Sequence, residues 1–290
     1  MSGDLSYRTR VGQWRAEREA SLTAPDGWLS IVGLFFLKEG TSTLGSDPSC
    51  DIVLPHPAPA AAGRLERHHR RVVGRFPAGT ATDVAGRAVL DIDLSLPREG
   101  PPPTVRIGPL TLNVHASGSR LGIRLRQDDS PLRSMFGGLS WFPVDAEYRV
   151  TARYTPLDAP TSIEIPNILG DSEPHVIPGT LSFTLQGQAG TLTPYRMETG
   201  QRHRLFIVFT DGTSGRETYG AARFVYADWP GDGETVVDFN MAYNPPCAFN
   251  PYTTCPLPPP QNRLPMRIEA GEKSPPTVRQ DPDEAAPRST

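Results

Sequence analysis

A chain of 290 residues is long enough for one large domain or two modest ones. Its 37% hydrophobic and 21% charged residues supply a core and exclude wholesale disorder. Its 27 glycines and 32 prolines make up about a fifth of the chain against an average of ~12%, which excludes a helical bundle. A formal net charge of −3 gives no electrostatic reason to expect nucleic acid or an anionic membrane as partner.

The opening segment MSGDLSYRTRVGQWRAERE is polar and lacks the apolar core of a secretory signal. No run approaches the ~20 apolar residues of a membrane helix, so a cytoplasmic address is expected. Residues 5–22 read as a helix, because Val11, Trp14, Arg18 and Leu22 recur at three- and four-residue steps. Ala24-Pro25-Asp26-Gly27 ends it with turn chemistry.

The period then switches to two. Leu90, Ile92 and Leu94 alternate with aspartates, and Leu110, Leu112 and Val114 alternate with Thr111 and Asn113. Leu121, Ile123 and Leu125, then Tyr148, Val150, Ala152 and Tyr154, then Leu181, Phe183 and Leu185 repeat the pattern. Each is a half-buried strand, and many short strands between Gly/Pro turns predict an all-β sandwich or barrel-like fold with one N-terminal helix.

The expected organisation has four parts: the helix at 1–27, a sandwich-like part at 28–100, and a second β layer or barrel at 101–273 closed by the proline-rich loop 240–262. A disordered tail at 274–290 follows. The seam is placed at the PREGPPP run, Pro97 to Pro103, and the tail has nothing to bury.

Thr43-Leu44-Gly45-Ser46-Asp47-Pro48-Ser49-Cys50-Asp51-Ile52-Val53-Leu54 resembles the opening of forkhead-associated domains, β-sandwiches that bind phosphothreonine. That family's phosphate site needs an arginine where this chain has Ser46, so only the strand geometry is expected to carry over.

A longer likeness lies near the C-terminus. Phe209-Thr210-Asp211-Gly212-Thr213-Ser214-Gly215, Asp238-Phe239-Asn240-Met241-Ala242-Tyr243-Asn244-Pro245-Pro246-Cys247, and Ala270-Gly271-Glu272-Lys273 are similar to the bacterial and archaeal domain-of-unknown-function family 1684. Gly27-Trp28-Leu29, Trp141-Phe142-Pro143-Val144-Asp145 and Asn167-Ile168-Leu169-Gly170 extend the resemblance from about Trp14 to Lys273. It implies a mostly β protein and no activity.

The loop 240–262 combines seven prolines with Tyr243, Phe249, Tyr252 and Leu257, which predicts an ordered wall rather than disorder. On such a wall Asn240, Tyr243 and Asn244 can give and accept hydrogen bonds to a polar ligand; alternatively the asparagines cap turns and Tyr243 plugs a core. Asp211 begins a Gly-rich turn and can pair with Arg223 or act in acid–base chemistry if desolvated. Arg124, Arg153 and Arg223 lie in β runs, where they either are solvated or line a cleft and grip a carboxylate or phosphate.

The assignments are therefore Asp211 and Tyr243 as catalytic candidates, and Arg223, Asn240, Asn244, Arg124 and Arg153 as substrate-binding candidates. No metal is assigned, since the six histidines show no HxH or HExxH spacing and Cys247 and Cys255 form no CxxC pair. No cofactor is expected, because no Walker loop, GxGxxG or GxSxG is present. Buried thiols are the reading for Cys247 and Cys255, with a disulfide disfavoured in a reducing compartment.

The expected partner is a small polar or anionic molecule. The functions weighed are a metal-independent acid–base enzyme, a non-catalytic binder, and a protein-interaction scaffold.

Overall fold

The computed structural model describes residues 2–199 and 202–275. The chain divides into two compact units, one of Met1–Leu22 with Gly137–Arg279, the other built on Thr23–Phe136. The proline run expected as a seam joins two strands inside the Thr23–Phe136 unit, and the chain leaves that unit after Phe136.

Helix α1 (Ser2–Thr23) contains the expected residues 5–22 and buries a single stripe at the spacing read from the sequence: Tyr7, Val11 and Leu22 are buried, with Trp14 and Arg18 half-buried between them. Gly27 N–H closes the following turn on Ala24 O at 2.8 Å.

The Thr23–Phe136 unit holds β1 (Ile31–Phe36), β2 (Gly40–Gly45), β3 (Ile52–Val53), β4 (Gly63–His68), β5 (Arg71–Arg75), β6 (Ala81–Thr82), β7 (Ala88–Val89), β8 (Asp91–Asp93), β9 (Thr104–Ile107), β10 (Leu110–Ser117) and β11 (Arg120–Gln127), then the single turn α2 (Pro131–Ser134). They form a six-stranded sheet, β1-β11-β10-β9-β6-β7, and a five-stranded sheet, β3-β2-β4-β5-β8. The alternating residues read from the sequence form their common core: Leu110, Leu112, Val114, Leu121, Ile123 and Leu125 are all at most 2% exposed.

The stretch likened to forkhead-associated domains is β2, a turn and β3, paired in parallel with Leu44 opposite Ile52. Asp51 accepts from the Thr43 N–H and hydroxyl, each at 2.8 Å, so its carboxylate is occupied in holding the turn.

The other unit holds β12 (Arg149–Pro166), β13 (Ser172–Leu185), β14 (Gln188–Leu192), β15 (Tyr195–Thr199), β16 (Arg202–Phe209), β17 (Arg223–Asp228) and β18 (Glu234–Asp238). Their sheets are β14-β13-β12-β18 and β15-β16-β17. None of the four sheets closes on itself among the described residues, so the fold is open β layers with one long helix and no barrel.

From Pro256 the chain runs along these sheets with one 3-10 turn, Pro260–Asn262, and no strand, and its Leu264, Met266, Ile268 and Ala270 enter the same core as Val150, Leu181 and Val237. Helix α1 belongs to this unit: the Glu19 carboxylate accepts from the Leu139 N–H at 3.4 Å, and the Tyr7 hydroxyl donates to Asp238 at 2.9 Å. Of the expected tail, Ser274 donates its N–H to Glu217 O at 2.9 Å, and residues 276–290 lie outside those described.

Candidate functional site

Arg223 projects from β17 with no exposed surface. One Nη donates to Asp211 Oδ2 at 2.5 Å and to Ile268 O at 3.0 Å, and the other donates to Ala270 O. The second Asp211 oxygen accepts from the Thr213 N–H at 2.6 Å and the Ile268 N–H at 3.3 Å. Desolvation lowers the Arg223 pKa and the Asp211 charge opposes that fall.

The pair therefore ties the irregular C-terminal segment to the sheet. Both side chains, expected as a catalytic and a substrate-binding group, are buried and paired with each other outside the cleft lining. The physical reason is that residues 256–275 run without a ladder, so side chains must satisfy their carbonyls.

The two asparagines are both fully buried, and the same deficit accounts for Asn244 alone. Asn240 donates to Asp145 O at 2.7 Å and to the Tyr7 hydroxyl at 2.9 Å, while its Oδ1 accepts from the Asp145 N–H at 3.0 Å. Asn244 donates to Lys273 O and to Glu272 Oε1, each at 2.7 Å. Both amides tie separate segments together, Asn240 to Asp145 and Tyr7 and Asn244 to Glu272 and Lys273.

Tyr243 differs. Its backbone bridges Phe224 through two 2.9 Å hydrogen bonds, and its ring lies stacked on Tyr226 at 6.3 Å and edge-on to Phe224 at 5.7 Å. One side of it lines a cleft of about 330 Å³, together with Trp14, Glu17, Arg18 and Ser21 of α1, Arg204 of β16, Tyr226 of β17, and Met241. Burial pushes the Tyr243 hydroxyl well above the usual phenol value, so at neutral pH it is a hydrogen-bond donor and not a base.

Arg18 enters the cleft over the Tyr243 ring, 4.7 Å from its centroid, and donates to Asn244 O at 2.9 Å. Behind it lies Glu272, with no exposed surface, one oxygen 3.5 Å from Arg18 Nε. Burial raises the Glu272 carboxyl to about 7, against the opposing pull of Arg18 and the Asn244 amide. On the far wall Arg204 lies over the Tyr226 ring at 4.8 Å and 3.6 Å from the Asp228 carboxylate.

The remaining candidates lie elsewhere. Arg153 is exposed on β12, the solvated reading. Arg124 belongs to the other unit, 3.0 Å from His115 Nε2 and over the Trp28 ring, and burial with the Arg124 charge lowers His115 to about 4. Cys255 is buried and Cys247 half-buried, with the Cys247 N–H 3.3 Å from Cys255 Sγ. Hydrogen bonding to Cys255 and burial push the Cys247 thiol up, away from nucleophile range.

Sequence reasoning missed Arg18, Arg204, Tyr226 and Glu272 as site residues. For Arg18 the signal was present: an arginine on the inward stripe of α1 must have a buried partner. For Glu272 the acid in the Ala270-Gly271-Glu272-Lys273 block was the clue. Arg204 and Tyr226 carried none, since alternation marks their strands and not what lies across them.

Residues 134–273 match the family described as "Protein of unknown function (DUF1684)", and the chain belongs to that family through this segment. The match is shorter than the Trp14–Lys273 span expected from the sequence and leaves out α1 and the Gly27-Trp28-Leu29 block. Among solved structures, the solution NMR structure of an uncharacterized protein of Haloarcula marismortui is 35% identical; the alignment covers 49% of this chain and 78% of that one, with a TM-score of 0.41. Among curated proteins nothing matches.

Proposed function

We propose that this member of the DUF1684 family binds a small anionic molecule with a flat apolar body in the cleft between α1 and the β16–β17 sheet. The observation that supports it is convergence: two guanidiniums, Arg18 and Arg204, and two phenol rings, Tyr226 and Tyr243, face one concavity of about 330 Å³. Guanidinium forks suit a carboxylate or phosphate, and rings of Trp14, Tyr226 and Tyr243 suit a planar group. Glu17 also lines the cleft, and Glu272 and Asp228 stand against Arg18 and Arg204, so a ligand of low charge, a monoanion, is favoured.

A second reading, metal-independent acid–base catalysis on that ligand, rests on Glu272. Its carboxyl titrates at about 7, the range a proton-transfer group needs, and it sits directly behind Arg18.

Titration with benzoate, a flat monoanion, tests the binding reading. Benzoate should shift the ring resonances of Trp14, Tyr226 and Tyr243 and raise Tm with concentration. Arg204→Ala should weaken it severalfold at unchanged Tm. Absence of any ring shift at millimolar benzoate overturns the reading.

A further inference from the structure

Arg18 lines the cleft, and behind it lies an unusual arrangement of buried polar groups. Arg18 Nε, Glu272 Oε2 and Asn244 Oδ1 are all buried without a hydrogen-bond partner. Arg18 and Glu272 nevertheless approach within 3.5 Å, a charge contact at the long limit of hydrogen bonding. The Arg18 side chain is 11% exposed and Glu272 wholly buried, so the guanidinium stands between the cleft and the acid. Among the described residues its one hydrogen bond is the donation to Asn244 O. The Asn244 carbonyl, the Tyr243 ring at 4.7 Å and the charge behind it together set its position.

We propose that Glu272 is a proton-operated control on Arg18: ionised, it holds the guanidinium against the inner wall; protonated, it releases Arg18 into the cleft to grip the ligand's anionic group. This deepens the anion-binding reading and rests on the same cleft.

The groups facing Glu272 leave it this role. From α1 comes Arg18; from the loop after β18 come Asn244, which donates at 2.7 Å, and Tyr243, whose hydroxyl stays protonated. From β17 comes Arg223, already neutralised by Asp211 at 2.5 Å. Next in sequence, the Lys273 ammonium lies over the Phe142 ring at 4.7 Å, and Trp141 meets Glu272 through backbone pairing. Among the described residues, Arg18 is thus the one cation paired with Glu272 that no other carboxylate already holds, and burial raises the acid to about 7.

The test begins without ligand. In the full chain labelled with ¹⁵N and ¹³C, the Arg18 Nε resonance should titrate between pH 6 and 8, and the Glu272 carboxyl carbon should share its midpoint. Glu272→Gln, which mimics the protonated acid, should leave Arg18 flat across this range. The wild-type carboxyl titration needs no variant, so the measurement survives if Glu272→Gln fails to fold.

Benzoate, ionised throughout, is then titrated at both ends of the range. Its affinity should rise about tenfold from pH 8 to pH 6 in the wild type and not change in Glu272→Gln.

An Arg18 resonance that does not move with Glu272 overturns the proposal, whatever benzoate does. An Arg18 resonance that titrates while benzoate binds at neither pH supports the control and overturns the anion-binding reading. Titration of Arg18 with benzoate affinity independent of pH also overturns the proposal, because the released guanidinium then does not serve the ligand.

Discussion

The Arg223 guanidinium meets the Asp211 carboxylate at 2.5 Å with neither side chain exposed to solvent. Such a pair holds structure together because each charge would be intolerable alone. Desolvation outweighs much of the attraction, so the pair contributes little net stability while its disruption costs a great deal.

Asp211→Asn should accordingly destabilise the protein by about 3–5 kcal/mol, since it strands a buried guanidinium. Denaturant unfolding at pH 7 measures this. A catalytic Asp211 would instead give a stable variant with altered chemistry.

Glu272 makes the opposite pH signature from a surface carboxylate. Its folded value of about 7 lies above the ordinary 4.5, so the folded form holds the proton more tightly. Between these values the native state binds more protons than the unfolded chain, and stability falls as pH rises through the window. Two to three pKa units correspond to about 3 kcal/mol, fully lost above pH ~7. Glu272→Gln should remove this slope, so the difference in unfolding free energy between variant and wild type should move in the variant's favour from pH 4.5 to 7.5. A constant difference would place the titration elsewhere.

Asn244→Ala should cost about 1–3 kcal/mol, because Glu272 Oε1 and Lys273 O lose their donor in a buried place. Asn240→Ala should cost a similar amount and loosen α1, since Asn240 reaches the Tyr7 hydroxyl at 2.9 Å. Thermal unfolding with amide exchange across residues 5–22 checks both. Unchanged stability with lost benzoate binding would restore the amides to the ligand site.

Gly271 places Glu272. Its φ of +80° is in the left-handed region, and a Cβ there would fall 2.4 Å from Ala242 O. Gly271→Ala combines backbone strain with a clash against main chain that cannot yield. A loss of at least ~1–3 kcal/mol is expected, with the Arg18 resonance displaced at every pH.

Alternation made the strands legible because one face of each sheet is packed and the other wet. Leu181, Phe183 and Leu185 are buried as read, and the α1 stripe fell at the expected positions. The site was less legible for a physical reason. On a proline-rich segment a polar residue can serve either a ligand or a neighbouring carbonyl. Composition does not distinguish these: carbonyls of the segment without a ladder take Asn244 and Arg223, and the Asp145 carbonyl takes Asn240. What faces the cleft comes instead from α1 and from β16–β17, far apart in sequence.

Helix α1 and the strands it packs on are separated along the chain by the whole Thr23–Phe136 unit, which makes that unit an insertion into a host fold. During synthesis the inserted unit is complete while α1, with Arg18 and Tyr7, still lacks every partner it has in the finished host. The stripe Tyr7, Val11, Leu22 then waits as unpaired apolar surface until Glu272 has emerged, so the cleft is the last feature the nascent chain can assemble. Because Glu19 already touches Leu139, the insertion's two ends are close within the host. A short Gly-Ser bridge from Leu22 to Gly137 should yield a host that folds and retains the Arg18–Glu272 contact.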